Sequence, residues 1–590
     1  MDETNLPIAS LVSRRFSRRT VAKLLGATAG LPALGALLAA CGGGGSTPAS
    51  TSTSTSTAVV NQPVTTGGTP LSTFSTPVVS SPATPAAAAA GASAVKGGTL
   101  HLALTIDPDA LDPAKTIQLE ADSVNVNIYD RLVFIGRDRL PHPWVSEKWD
   151  ISPDGKQITF TIRPGISFHD DTALDGKAVK FTFDRILDPA TASPAKAQMG
   201  TLQSVDLVDD THVRFNFSDP YAPFFTNISL GYGGIVSPAG VQKYADKFGK
   251  NPVGSGPFKL KQWTAGQSID LVRNENWKNF RTDGANTGVA YLDGIQFKEI
   301  AEAATRLAAL QSGELDVSDV DVQQVTSIQN NPKYQIVIWK DATDHNFIEY
   351  ANKAPFTDVA VRQAIAYSID RDSIVKSAWN GFATANLLPM PVGVAGWDAS
   401  IGQQYGYAYD LTKAKKTLTD AGYAPGADGI MAKDGKSLSF TLLVYSGAAP
   451  AKTASEIIQA ALKQIGVDMK IQIIEFGSEL PMLNAGNFEA DWMRWTWPDP
   501  VILSLLFKTP GWTKQTHDPD LDKLLNVPDT TLDPTKRLDG VHAALTYILQ
   551  KAIIAPIATD WIVRAARSVV KGYQWDAIGY PMYTDVSLSQ

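Results

Sequence analysis

Apolar and polar residues alternate through the early part of the chain. Thr99-Leu100-His101-Leu102-Ala103-Leu104, Ile158-Thr159-Phe160-Thr161-Ile162 and His212-Val213-Arg214-Phe215-Asn216-Phe217 each repeat at period two, which predicts half-buried strands. The later part changes period. Asp358 can cap a helix in which Val361, Ile365 and Ile369 fall four apart, and Asp372 restarts it toward Ile374 and Val375. Asp410 caps another helix through Ala414 and Leu418, stopped at Gly422. Ile457, Ile458, Leu462 and Ile465 form a helical stripe that ends at Gly466, after which Val467, Met469, Ile471 and Ile473 alternate. Helix, glycine, strand predicts at least one lobe of α/β layer structure.

Residues 1–95 follow neither period. Ser17-Arg18-Arg19-Thr20-Val21-Ala22-Lys23 precedes an uncharged apolar run from Leu24 to Ala40, the pattern of an export signal. The arginine pair is similar to a twin-arginine signal, and the general secretory route stays open. Leu38-Ala39-Ala40-Cys41 resembles a bacterial lipobox, in which the Cys41 thiol takes the diacylglyceryl group and becomes the new N-terminus. Cys41 is the only cysteine, so an internal disulfide and a multi-cysteine metal site are excluded. Residues 42–95 carry no charge and are rich in Gly, Ser, Thr, Pro and Ala, too little apolar area to offset ordering entropy. They are expected to form a flexible tether with a reach of roughly 40 Å.

Composition narrows the class without naming it. At 590 residues, 44% apolar, 19% charged and mean hydropathy -0.08, the chain is of globular type with room for several domains. Its net charge of -7 includes +3 in residues 1–40, so the body is more acidic still. An acidic body excludes a phosphate-tracking nucleic-acid binder. No G-x-S-x-G elbow, Walker loop or H-E-x-x-H helix is present, so the residues give no basis for an enzyme, and a secreted hydrolase is the weaker alternative. Gly254-Ser255-Gly256-Pro257 reads as a tight turn, because Pro257 removes a donor that a phosphate cradle needs. His169, beside Asp170 and Asp171, reads as part of a polar turn; no metal and no cofactor are expected. The tryptophans are more suggestive. Four of the 13 fall between Trp492 and Trp512, and an extended Trp495-Thr496-Trp497 would point two indoles to one side. These can line a ligand cleft or fill a core.

A series of blocks in order then resembles the family 5 extracellular solute-binding proteins, the dipeptide and oligopeptide receptors of ABC importers. Gly97-Gly98-Thr99-Leu100 with Leu111-Asp112-Pro113 looks like the opening strand and turn. Trp149-Asp150-Ile151-Ser152-Pro153-Asp154-Gly155 through Phe168-His169-Asp170 is similar to the most diagnostic stretch. Asn251 to Phe258, Leu310 to Asp316, and Pro355-Phe356 through Val361-Arg362-Gln363-Ala364 to Ile369-Asp370-Arg371 match further signatures. The resemblance covers nearly the whole body. It implies an α/β, two-lobe type II periplasmic-binding fold with an additional small inserted domain. Lobe I would comprise 96–137, 232–343 and 557–590, the small domain 138–231, and lobe II 344–556.

The resemblance also implies a role and a site. The role is an extracytoplasmic receptor, monomeric and anchored to the membrane by lipid, that hands a small solute to ABC importer permease subunits. Its place is the outer face of the cytoplasmic membrane or the periplasm. Ligand would lie between the lobes, against His345, Asn346 and Phe347 at the hinge and Arg494, Trp495, Thr496, Trp497 and Asp499. One departure bears on the ligand. Peptide-binding relatives carry an aspartate before this block's proline that pairs with the ligand's α-amino group, and here Thr496 or a gap stands in its place. An oligopeptide and an oligosaccharide therefore both stay open.

Overall fold

The computed structural model describes residues 95–446, 449–513 and 517–589. The expected export signal (1–40), Cys41 and nearly all of the expected tether (41–95) lie outside the described residues. Among the described residues, no helix is long and apolar enough to cross a membrane.

Two large sheets organise the described residues, which make one compact unit. The first has seven strands, in the order Phe258–Thr264, Ser268–Arg273, Gly294–Glu299, Thr99–Leu104, Val317–Asp319, Ile562–Arg567 and Tyr334–Trp339. Strand Thr99–Leu104 sits at its centre, parallel to both neighbours, with Leu100, Leu102 and Leu104 buried. The second has six strands, in the order Ala383–Ala385, Ile554–Asp560, Asp344–Tyr350, Ala490–Thr496, Ser439–Tyr445 and Asp468–Ile474. A separate four-stranded sheet, Ser146–Ile151, Gln157–Ile162, His212–Phe217 and Leu202–Leu207, packs Phe160, Phe183, Phe215 and Phe224 edge to face or tilted. The alternating stretches at 158–162 and 212–217 pair with each other within it.

The six-stranded sheet has helices on both faces, and alternate residues divide between two cores. Ile348, Trp492, Leu442 and Val444 join the core under helices Val359–Tyr367, Arg371–Ala378 and Ala449–Gln464. Phe347, Met493, Trp495 and Leu443 join the core under Ile502–Phe507, Pro519–Thr530 and Pro534–Gln550. Strands buried on both faces read as apolar runs rather than alternations. That is why 554–560 shows no period-two signal.

Helix caps follow the sequence with one change. Asp358 and Asp410 accept backbone N–H groups of Ala360 and Lys413. Asp370, not Asp372, caps the next helix by accepting the Ser373 N–H, because Asp372 already lies inside the first turn. Gly466 ends the long helix with φ +81°, a conformation that costs glycine nothing. Gly254 and Gly256 close the expected tight turn; a Cβ on Gly254 would fall 2.1 Å from the Ile128 carbonyl oxygen.

Two covalent crossings join the large sheets. Residues 340–343 lead from Tyr334–Trp339 to Asp344–Tyr350, and Trp561 alone leads from Ile554–Asp560 to Ile562–Arg567. The return crossing lies beyond the expected boundary at 556/557. Pairing of His345 with Thr559 and of Asn346 with Ala558 carries the strand past a bulge to Asp560.

Candidate ligand cleft

Both crossings leave the same end of the six-stranded sheet. Asp344, Thr496 and Asp560 terminate three adjacent strands there: Asp344 is in register with Thr496, and His345 with Thr559. Side chains at 344, 346, 494 and 496 share one face, because strand residues alternate. They form one network. The Arg494 guanidinium donates to Asp344 (2.8 Å) and to Asp560 (3.1 Å), and the Thr496 hydroxyl donates to Asp344. Asn346 donates its amide to Asp560 (2.7 Å) and accepts from the buried Trp492 indole (3.3 Å). Arg494 and Thr496 are its exposed members, so the cluster is reachable from solvent at this end of the sheet. Two carboxylates around one guanidinium leave this end acidic.

Electrostatics here follow from burial. Desolvation pushes the Asp560 carboxyl up to about 6, although Arg494 pulls it down. The Asp344 charge, with Asp560 behind it, holds the Arg494 guanidinium firmly protonated against desolvation.

The predicted residues separate into two groups. Arg494, Thr496 and Asn346 meet in the network. Trp495, His345 and Phe347 point to the opposite face, where helices cover them. Trp495 is 6% exposed and packs edge to face on Trp512 at 4.5 Å, so its indole is lobe core rather than cleft lining. Phe347 is fully buried in the same core, and burial drives the His345 imidazole down to about 3, neutral at physiological pH. Trp497 is half-buried against that core and its Nε1–H has no partner. Asp499 is 1% exposed and saturated. It accepts both arms of Arg537 (2.6 and 3.0 Å), the Val501 N–H (2.9 Å) and the Thr226 hydroxyl (2.8 Å), leaving no room for a ligand.

Sequence reasoning missed Asp344 and Asp560. The available signal was an acidic residue ending each strand beside a crossing, in the apolar context Ile554-Ala555-Pro556-Ile557-Ala558-Thr559. It also missed Glu349, Asp491 and Glu479, a buried acidic group on the Trp495 face. Among the described residues, no group of three or more His, Cys, Asp or Glu is arranged to hold a metal ion. His169 donates its Nε2–H to the Gly256 carbonyl (3.0 Å) in the facing turn, and burial lowers it to about 4.

The family of bacterial extracellular solute-binding proteins, family 5 (middle region), matches residues 141–514, more than half of the chain. The chain belongs to this family. Its members are solute-binding proteins rather than enzymes. The glutathione-binding protein GsiB of Pectobacterium atrosepticum is 26% identical over 494 residues, covering 81% of this chain and 91% of the relative. Its Escherichia coli counterpart is 25% identical over 479 residues, covering 78% and 89%. Among solved structures, the periplasmic binding protein DppA of Helicobacter pylori in complex with peptide STSA superposes with TM-score 0.65 at 27% identity, covering 84% of this chain and 99% of that one. HbpA2 of Haemophilus parasuis superposes with TM-score 0.73 at 25% identity, covering 84% and 100%. The fold is the two-lobe type II periplasmic-binding fold.

Proposed function

We propose that this family 5 protein captures a peptide-like solute between its lobes and delivers it to an ABC importer permease while tethered by lipid at Cys41. The observation that carries the ligand reading is the acidic strand end. Thr496 or a gap stands where the resemblance puts the ammonium-pairing aspartate of peptide-binding relatives, and Asp344, the partner of Thr496 across the ladder, supplies a carboxylate at the same level. With Asp560 it outnumbers Arg494, so a ligand ammonium meets net negative charge at low solvent exposure. The names of the glutathione-binding and peptide-bound relatives agree with this chemistry. An oligosaccharide would need open indole faces, and Trp512 fills the space against Trp495. The export signal, the lipobox and the uncharged tether support anchoring at the outer face of the cytoplasmic membrane, or in the periplasm, with raised effective concentration at the permease.

Titrating the full chain with glutathione and short peptides tests the receptor role. A bound peptide at about 100 times its Kd should raise stability by ~2.7 kcal/mol and shrink the radius of gyration. Peptides that change neither the melting curve nor the scattering profile would refute the reading. Cys41→Ser should release the body from the membrane fraction; equal retention would refute the anchor.

A further inference from the structure

Asn380-Gly381 is the single Asn-Gly pair in the chain, and it stands where the two sides of the molecule touch. Helix Arg371–Ala378 belongs to the six-stranded side, packing Ile374 and Ala378 into the core with Ile348 and Trp492. Trp379 ends it by donating its N–H to the Val375 carbonyl (3.1 Å), and Asn380 follows with φ +51°. Asparagine is among the few residues with a side chain that take this left-handed conformation readily. Gly381 continues the turn at φ +83°.

The Asn380 amide reaches the seven-stranded side. Its Nδ2 donates to the Gln323 side-chain oxygen (2.5 Å) and to the Val322 carbonyl (3.3 Å). Gln323 answers with its own amide, donating Nε2 to the Ala378 carbonyl (3.0 Å). Val322 and Gln323 lie in the loop after strand Val317–Asp319 of the seven-stranded sheet. A reciprocal amide pair therefore ties that loop to the helix end. Phe382 links the pair to the return crossing: its ring meets Trp561 edge to face at 6.3 Å, and its carbonyl accepts the Trp561 N–H (3.2 Å).

The turn is open to water. Gln323, Asn380 and Gly381 are all exposed, and a Cβ on Gly381 would meet nothing within 4 Å. Glycine has no side chain to screen its nitrogen from the preceding amide. One bond holds that nitrogen back, since the Gly381 N–H donates to the Val375 carbonyl (3.1 Å). Freeing it requires the last turn of the helix to fray. Beyond the helix's own bonds, the amide pair to the Gln323 loop opposes that fraying.

We propose that Asn380 is a deamidation site governed by the contact between the lobes, and that its conversion releases that contact. The Gly381 nitrogen gives its proton to solvent and attacks the side-chain carbonyl carbon of Asn380. The bond from that carbon to the amide nitrogen breaks, ammonia leaves, and a cyclic imide forms. Water opens the imide at the side-chain carbonyl to give aspartate, or at the main-chain carbonyl to give isoaspartate. The resulting carboxylate is an acceptor only. It leaves the Val322 carbonyl without its donor and sets a negative charge against the Gln323 oxygen. Gln323 can turn its NH2 group to the carboxylate only by releasing the Ala378 carbonyl, so the reciprocal pair is lost beside the crossing. The proposal is independent of which solute the cleft takes.

The test ages the full chain without ligand in warm, mildly alkaline buffer, and peptide mapping by mass spectrometry follows aspartate and isoaspartate. Conversion should concentrate at Asn380, a result that needs no variant. Gln323→Ala alters an exposed side chain and should speed the conversion roughly fivefold by removing the pair. Asn380→Asp supplies the product directly and should raise hydrogen exchange in the loop 320–328. Conversion at Asn380 no faster than at the other asparagines would overturn the site. Equal rates in the parent and Gln323→Ala would overturn its control by the lobe contact. Unchanged exchange in Asn380→Asp would overturn the release.

Discussion

Asp560 shows how one carboxyl can serve function and oppose stability. Burial lifts it to about 6, so it is ionised at pH 7.5 and largely protonated at pH 5. Protonation removes one of the two negative charges facing Arg494. Affinity for an ammonium-bearing peptide should therefore fall as pH drops through about 6. Stability runs the other way. A carboxyl raised on folding contributes least above its folded value, so the fold loses stability as pH rises toward 6 and beyond. Asp560→Asn should bind peptide roughly tenfold more weakly at pH 7.5, about one decade per 1.4 kcal/mol. It should lose the pH dependence of binding, and it should melt slightly higher than the parent at that pH. Weaker binding together with a lower melting temperature would instead mark Asp560 as structural. Part of this was legible in the sequence. The alternation along 490–496 separates Arg494 and Thr496 from Trp495 whatever the fold. Which set faces the cleft depends on helices that arrive after residue 501, and periodicity within one strand carries no information about them.

At the scale of elements, the strands Asp344–Tyr350 and Ala490–Thr496 bury a conflict on their other face. Glu349 and Asp491 sit directly opposite each other in the ladder, with Glu479 of helix Phe476–Asn484 beside Asp491. Like charges so placed repel, and no cation offsets them among the described residues. Burial pushes Glu349 up to about 7 despite the Thr513 hydroxyl (2.5 Å), and burial with the two glutamates pushes Asp491 well up. The unfolded chain ionises these groups near ~4, as model compounds do. The folded chain keeps Glu349 protonated up to about 7, so stability is full below ~4 and falls as pH climbs to that value. Glu349→Gln should remove part of that fall. The variant is expected to gain on the order of 1–3 kcal/mol at pH 8 and little at pH 4.5. Parallel melting curves at the two pH values decide it; an equal shift at both would show that charge is not the cause. The periodicity of the chain gave warning of the helices, caps and the Gly466 stop because these are local. It gave none of this cluster, since Glu349 and Asp491 meet only through a pairing 142 positions apart.

At the scale of the molecule, the lobes share two short crossings and few direct bonds, so each bond between them biases opening. Asp499 supplies one. Its carboxylate is fixed on the six-stranded side by Arg537, and it accepts the hydroxyl of Thr226 from helix Phe224–Ser229 beside the four-stranded sheet. The Ala222 N–H donates to the Asp529 carbonyl (2.8 Å) close by. The sequence nominated Asp499 but could not show its partners, because Thr226 lies 273 positions away. Asp499→Asn would be a poor probe: it leaves buried Arg537 half-paired, a defect worth ~3–5 kcal/mol of stability on its own. Thr226→Val is the cleaner one. It keeps the shape of the side chain and leaves the Arg537 pair intact. In an open form the hydroxyl would bond to water, so only the net value of the bond, about 1 kcal/mol, is lost from the closed form. Closure should weaken by roughly fivefold. Because ligand enters the open form and leaves only after opening, the loss should fall on dissociation: a dissociation rate about fivefold higher with an unchanged association rate in stopped-flow measurements. The melting temperature without ligand should stay close to that of the parent. An unchanged dissociation rate would show that the Thr226–Asp499 bond holds the small sheet in place and plays no part in keeping the cleft shut.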